Sequence, residues 1–220
     1  MFRIRPLFVC SALFLSSRAA HADPSDWTDR WEDQYDPGRA ARRSGFAAGA
    51  SFGGTVGGAS GYPNDVEKID DPAFLADTGV TTGGSGSFWI GGALRDWLVV
   101  GVGFHFSSLS GRGYESAGGQ FVFHLEGFPL FYRGPIFRDL GVLADFGAGS
   151  RTITTNSNTV TVANGGSMAF IALGLIYEPW RLGGHVSAGP ILEVAEEFSQ
   201  TLKATTATLG IQFAFYGGPD

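Results

Sequence analysis

The sequence predicts an all-β chain, an eight-stranded antiparallel barrel of up-and-down topology, and three observations carry that expectation. From Gly45 onward apolar residues recur with a period of two in eight stretches of nine to twelve residues. The opposite face of those stretches is built from Gly, Ser, Ala and Thr, where a strand facing water would carry Lys, Glu, Asp and Arg. The links between the stretches alternate between short and long.

Taken in chain order, residues 1–22 read as a secretory signal. Arg3 and Arg5 form its positive end, Leu7 to Leu15 its apolar stretch, and Ala20-His21-Ala22 its cleavage site. The one cysteine, Cys10, falls inside this leader, so neither disulfides nor thiol chemistry are expected in the mature chain. Residues 23–44 form a charged arm with ten ionisable residues among 22. Trp27, Trp31 and Tyr35 recur there every four residues, which suits one face of a short helix. The arm reads either as a docking peptide for a periplasmic partner or as a solvated segment whose aromatics rest on the barrel rim.

The eight strands are expected at 46–57, 83–94, 97–107, 119–127, 140–150, 167–177, 184–194 and 205–216. The last sets Ala207, Leu209, Ile211, Phe213 and Phe215 on one face and Thr206, Thr208, Gly210, Gln212 and Ala214 on the other. In the third, Leu98, Val100, Val102, Phe104 and Phe106 oppose Val99, Gly101, Gly103, His105 and Ser107. Only three charged residues occur in all eight stretches: Glu126, Asp145 and Glu193. A small, nearly uncharged face is one that is enclosed, with glycine making room in a narrow bore. Its Phe-, Val- and Leu-rich counterpart must then meet something other than water. A lipid-facing exterior satisfies both conditions, and closure satisfies every backbone group where water is absent.

The short links 94–97, 128–139 and 178–181 belong to one rim; the longer ones, 58–82, 108–118, 151–166 and 195–204, belong to the other. That is the pattern of a transmembrane barrel with periplasmic turns and extracellular loops, both termini lying on the turn side. Trp97, Tyr132, Tyr177, Trp180 and Tyr216 gather beside the turns and are expected to form an interfacial girdle. Pro190 removes a ladder donor in the seventh strand, so a local break is expected there.

At the last strand the chain resembles a family pattern. Thr208, Gly210, Phe213 and Phe215 stand where bacterial outer-membrane barrels carry a terminal assembly signal of a polar residue, a glycine and two aromatics. The stretch 45–216 resembles the small eight-stranded barrels of the OmpA, OmpX and OmpW type, followed by a short tail, 217–220. The resemblance implies a bacterial outer-membrane location, lipid as the surrounding medium, and the barrel assembly machinery as a partner during biogenesis.

The polar residues on the enclosed face are His105, Gln120, His124, Glu126, Asp145, Arg151, His185, Glu193 and Gln212. Buried charges need partners, so these are expected to form either a hydrogen-bonded plug or a narrow, acid-sensitive pore gated by His105 and His124. His185-Val186-Ser187 with Glu193 has the residue types of an acyl-transfer site, as in barrels that deacylate lipid A. All three face the lumen in this register, whereas a lipid substrate would approach from the outer wall, so no enzyme is expected. No cofactor motif and no metal-ligand spacing is present. The net charge of −6 argues against nucleic acid. The function expected is a structural or surface-interaction role, with a narrow or lateral channel for small or apolar solutes as the alternative.

Overall fold

The computed structural model describes residues 43–133, 135–157, 160–182 and 184–218. The expected leader and nearly all of the expected arm lie outside the described residues. Eight long strands follow one another: β1 (Gly45–Gly61), β2 (Thr81–Arg95), β3 (Leu98–Gly111), β4 (Tyr114–Gly127), β5 (Leu140–Thr155), β6 (Met168–Tyr177), β7 (Val186–Phe198) and β8 (Leu202–Tyr216). Each pairs antiparallel with the next, and β8 returns to pair with β1, so the sheet closes on itself.

The register fixes the size of the barrel. Cross-strand partners can be followed from Ala47 through Gly91, Gly101, His124, Asp145, Ala172, Ala195 and Thr206, and they return to β1 at Gly57. One circuit therefore climbs ten residues along the starting strand. For eight strands such a stagger corresponds to a tilt of about 40° and an interior just wide enough for side chains.

Every strand begins and ends within a few residues of the periodic stretch that announces it. The differences are systematic: most strands run longer toward the rim opposite the termini. The expected link 108–118 shrinks to the two-residue turn Arg112-Gly113, with φ of 51° and 80°. Both residues are left-handed, as a tight hairpin of matching twist requires. The expected link 195–204 shrinks to residues 199–201. The outward residues there include Ser108, Ser110, Glu115, Glu196 and Lys203, with Phe198 the one large apolar side chain among them, so hydrophobic alternation fades while the backbone ladder continues. The links 62–80 and 156–167 remain long.

Outside, an unbroken apolar belt encircles the barrel. Phe52, Phe88, Ile90, Val102, Phe104, Phe106, Phe121, Phe123, Phe146, Leu173, Leu192, Leu209, Ile211 and Phe213 are all exposed on it. From Leu98 to Phe106 the belt covers roughly 26 Å of strand, or about 20 Å of height at that tilt. No water-soluble monomer leaves so large a contiguous apolar surface bare. The wall is built to be solvated by lipid.

The seventh strand carries the break expected at Pro190. β6 pairs with residues 191–198 only, and residues 186–188 pair instead with a short strand, Trp180–Leu182. Gly189 and Pro190 have no partner on that side of the sheet in either ladder. The chain between β6 and β7 thus leaves the barrel wall at Glu178-Pro179 and makes a small hairpin on the turn rim.

Candidate functional site: the plugged lumen

The inward residues of β4 give an order to the interior. From the loop rim to the turn rim the polar ones are Ser116, Gln120, His124 and Glu126, each fully buried and each bonded to another wall.

Nearest the loop rim, Arg151 is the hub. Its Nε donates to Glu197 at 2.9 Å, one terminal nitrogen donates to Ser116 at 3.0 Å, and the other donates to Glu197 at 2.5 Å and also reaches Ser107. Two parallel donors on one carboxylate form the planar fork that distinguishes Arg from Lys. Gln120 donates to the same Glu197 at 2.5 Å. His105 joins this layer to the next, with one ring nitrogen 3.1 Å from Glu193 and the other 3.4 Å from Gln120.

The middle layer centres on His124. Its Nδ1 lies 2.6 Å from Asp145 and its Nε2 3.1 Å from Glu126. Two acceptor-only carboxylates leave both ring nitrogens to donate, the hydrogen-bonding pattern of an imidazolium. The Trp89 indole stacks on the ring at 4.6 Å between centroids, with the planes 18° apart. Gly49 faces that indole, and a Cβ there would stand 2.6 Å from it, so this glycine is the space the tryptophan occupies. Gln212 donates to Glu126 Oε1 at 2.5 Å. On the far wall, Ser51 with Ser87, and Thr55 with Ser85 and Thr208, satisfy one another through hydroxyls.

The turn-side mouth is closed by a residue outside any strand. Arg43 is wholly buried, and its guanidinium lies 3.4 Å above the Phe128 ring centre. It bonds Glu178 at 3.0 and 3.2 Å, Asp139 at 3.2 Å and the Asp96 carbonyl at 3.4 Å. Tyr216 donates its hydroxyl to the other oxygen of Glu178 at 2.9 Å, and Arg138 reaches Asp96 at 3.0 Å. Burial pushes the Glu178 carboxyl above the ordinary carboxylate range, and Arg43 pulls it only part of the way back. An apolar lid closes the other end, where Ala59, Leu109, Ile153, Ala163, Met168 and Leu202 pack together.

Of the residues expected in the lumen, His105, Gln120, His124, Glu126, Asp145, Arg151, Glu193 and Gln212 meet in these layers. His185 does not. It lies in the turn-rim hairpin just before β7, half-buried, with Nδ1 3.0 Å from the Tyr216 carbonyl and its ring beside Phe215. The alternation that placed it inside is interrupted by the hairpin, so parity cannot be carried back across it. The acyl-transfer trio is correspondingly apart: Ser187 points at the Ala214 carbonyl, 3.4 Å away, and Glu193 holds His105.

Tyr216 is the second correction. It is buried inside rather than standing in the girdle, because Phe213 and Phe215 face outward and the next position must face inward. Trp97, Tyr132 and Trp180 are exposed at the turn rim and Tyr177 is half-exposed. In the terminal pattern, Phe213 and Phe215 face out while Thr208 faces in. Three charged groups of the interior carry no signal in the alternation of the eight stretches. Glu197 continues the parity of Glu193 into the expected link 195–204, while Arg43 precedes the first strand and Glu178 lies in the turn after β6, and both fold over the mouth.

No family model and no curated protein sequence matches the chain. Several solved structures are similar in shape. The attachment invasion locus protein Ail of Yersinia pestis matches with a TM-score of 0.47 and 11% identity, over 77% of this chain and 98% of its own. Neisserial surface protein A gives 0.48 and 10%, over 77% and 96%. The outer membrane protein OprG of Pseudomonas aeruginosa gives 0.40 and 12%, over 80% and 98%. The deciding observations are the closed register and the lipid-facing belt. The fold is that of a small outer-membrane β-barrel. Its lumen, layer by layer, is filled.

Proposed function

We propose that this protein is an integral barrel of the bacterial outer membrane that acts through its loop-rim surface and its wall, without a bore and without chemistry of its own. The observation that carries this reading is the continuity of the plug. Arg43, His124, His105 and Arg151 each engage carboxylates from other strands or links, and apolar layers lie among them. Opening a water path would require several of these buried pairs to separate at once. The turn rim, bearing both ends of the barrel, faces the periplasm, and the links 62–80 and 156–167 face outward.

A second reading draws on one feature of the wall. An apolar depression of about 400 Å³ lies on the lipid-facing side over Gly91 and Gly101, framed by Ile90, Val102, Phe123 and Phe146. It suits a lateral approach of apolar solutes. The strands beneath it are continuously paired, however, and His124 seals the inner side with Trp89.

Planar-bilayer recording of the refolded protein tests the plug. The expected result is no stepwise conductance at neutral pH. Discrete, reproducible steps would overturn the plugged-barrel reading.

A further inference from the structure

The loop rim carries a second apolar surface, separate from the lipid belt. In the link 62–80, Val66 is 88% exposed and Val80 86%, and Phe74 and Leu75 are more than two-fifths exposed. Val66, Phe74 and Leu75 belong to the part of the link that extends past the paired ends of the strands, where Ser60, Ser110, Glu196 and Lys203 face outward, whereas Val80 returns beside Gly58. Lipid does not account for the exposure of those three.

The surface is built rather than loose. Tyr62 donates its backbone N–H to Thr201 at 2.8 Å and accepts from Asn164 at 3.3 Å, while the Thr201 hydroxyl donates to Asn164 at 2.9 Å. Three links are thereby joined into one platform over the apolar lid. Within the link, Asp71 caps the 3-10 helix Pro72–Phe74 through the Ala73 N–H. Asp70 takes a left-handed backbone (φ 67°), which Asp adopts at lower cost than most residues. A cleft of about 230 Å³ runs between Leu75 and Tyr62 on one side and Gln200 and Lys203 on the other.

Around the apolar residues the balance of charge is acidic. Asp65, Glu67, Asp70 and Asp71 lie within seven positions, against Lys68, which pairs with Asp65 at 2.7 Å and lies over the Phe74 ring, while Arg112 pairs with Asp77 at the end of the link. Glu67 and Asp70 face solvent. An ordered platform with apolar anchors and a carboxylate rim complements a basic polypeptide segment carrying apolar side chains, and repels anionic glycans and phosphate surfaces.

We infer that the 62–80 platform is a docking surface for a basic, partly apolar polypeptide segment of another protein. The inference rests on the reading that the barrel acts through its loop rim. The probe is a fluorescein-labelled Lys/Leu peptide, titrated against the full mature chain in zwitterionic-lipid nanodiscs, with empty discs and a Glu/Leu peptide as references. The Lys/Leu peptide is expected to bind above the empty-disc level and to weaken as salt rises. Glu67→Gln with Asp70→Asn, and separately Val66→Ser, should each weaken it by about five-fold or more. Val66→Ser alters a side chain that packs on little, so it tests the surface without unfolding the link. Equal binding of the Glu/Leu peptide, equal binding to empty discs, or indifference to both sets of substitutions would overturn the docking surface. Orientation is read separately, by maleimide labelling of Val66→Cys in intact cells. Absence of labelling overturns the outward placement of this rim and leaves the peptide result standing by itself.

Discussion

The Arg43 guanidinium lies flat above Phe128 while gripping Glu178, so one side chain joins the start of the barrel to the links that follow β4 and β6. Asp96 and Asp139 bring in the β2–β3 turn and the end of the β4–β5 link.

Arg43→Ala should therefore loosen the turn rim more than any single truncation on the outer wall. Three carboxylates would be left without their shared cation, and removing one partner of a buried pair costs about 3–5 kcal/mol. Arg43→Lys keeps the charge and loses the fork, so an intermediate loss is expected. Urea unfolding in lipid vesicles, followed by tryptophan fluorescence, measures both. An unchanged midpoint for Arg43→Ala would mean that the cluster does not hold the base.

At the middle layer, Asp145→Asn and His124→Gln should be strongly non-additive. Each alone breaks the 2.6 Å contact, and the double variant breaks it only once. A coupling of about 1.5–3 kcal/mol is expected for a hydrogen bond between charged partners. Additive losses would show that the two residues are neighbours without being a pair.

Charge on the outward face should be costly where a mild inward change is not. Val102→Arg or Ile211→Arg, both on the lipid belt, should cost roughly 2–4 kcal/mol near the bilayer midplane. An inward reference needs care. Gln212→Glu preserves shape, but it would set a carboxylate against Glu126 Oε1, 2.5 Å away, and is expected to be costly. Ser187→Ala is the milder inward change, since it loses only a weak 3.4 Å bond. Comparable refolding yields for the Arg variants and Ser187→Ala would invert the face assignment.

Phe213→Ala with Phe215→Ala should hinder assembly in cells more than it lowers the stability of the folded barrel. Phe213 stacks on Phe52 at 5.9 Å between centroids and Phe215 lies 6.4 Å from Phe46, both on the lipid side. Lipid refills such positions more readily than a packed core does. Surface-protease protection in cells is compared with heat-modified gel mobility after refolding into detergent. Equal losses in the two would reduce the aromatics to a stabilising role.

The strand count and the facing of nearly every strand residue were legible because lipid outside and small residues inside give a period-two signal in both faces. The signal failed where its physical basis stops. Beyond the belt the outward positions turn largely polar while apolar residues such as Leu109 and Leu202 face in, and strands such as Thr81–Arg95 and Leu202–Tyr216 run on unannounced. At the Trp180–Leu182 hairpin the parity is lost, and His185 turns out of the lumen. Tyr216 follows the parity of β8 and faces in, although it stands beside the turns where the girdle is expected. Arg43 left no local trace, since its burial depends on Asp139 and Glu178, about a hundred positions or more away.

That separation in sequence has a temporal meaning. Arg43 precedes the first strand, whereas Glu178 and Tyr216 come from the last quarter of the barrel, so the base cannot set until the whole chain is present and the ends have met. A chain truncated before Glu178 would carry a cation with its principal counter-charge missing and its hydroxyl brace absent. The cluster thus works as a check on completeness: the barrel that locks is the one whose first and last strands have already found each other.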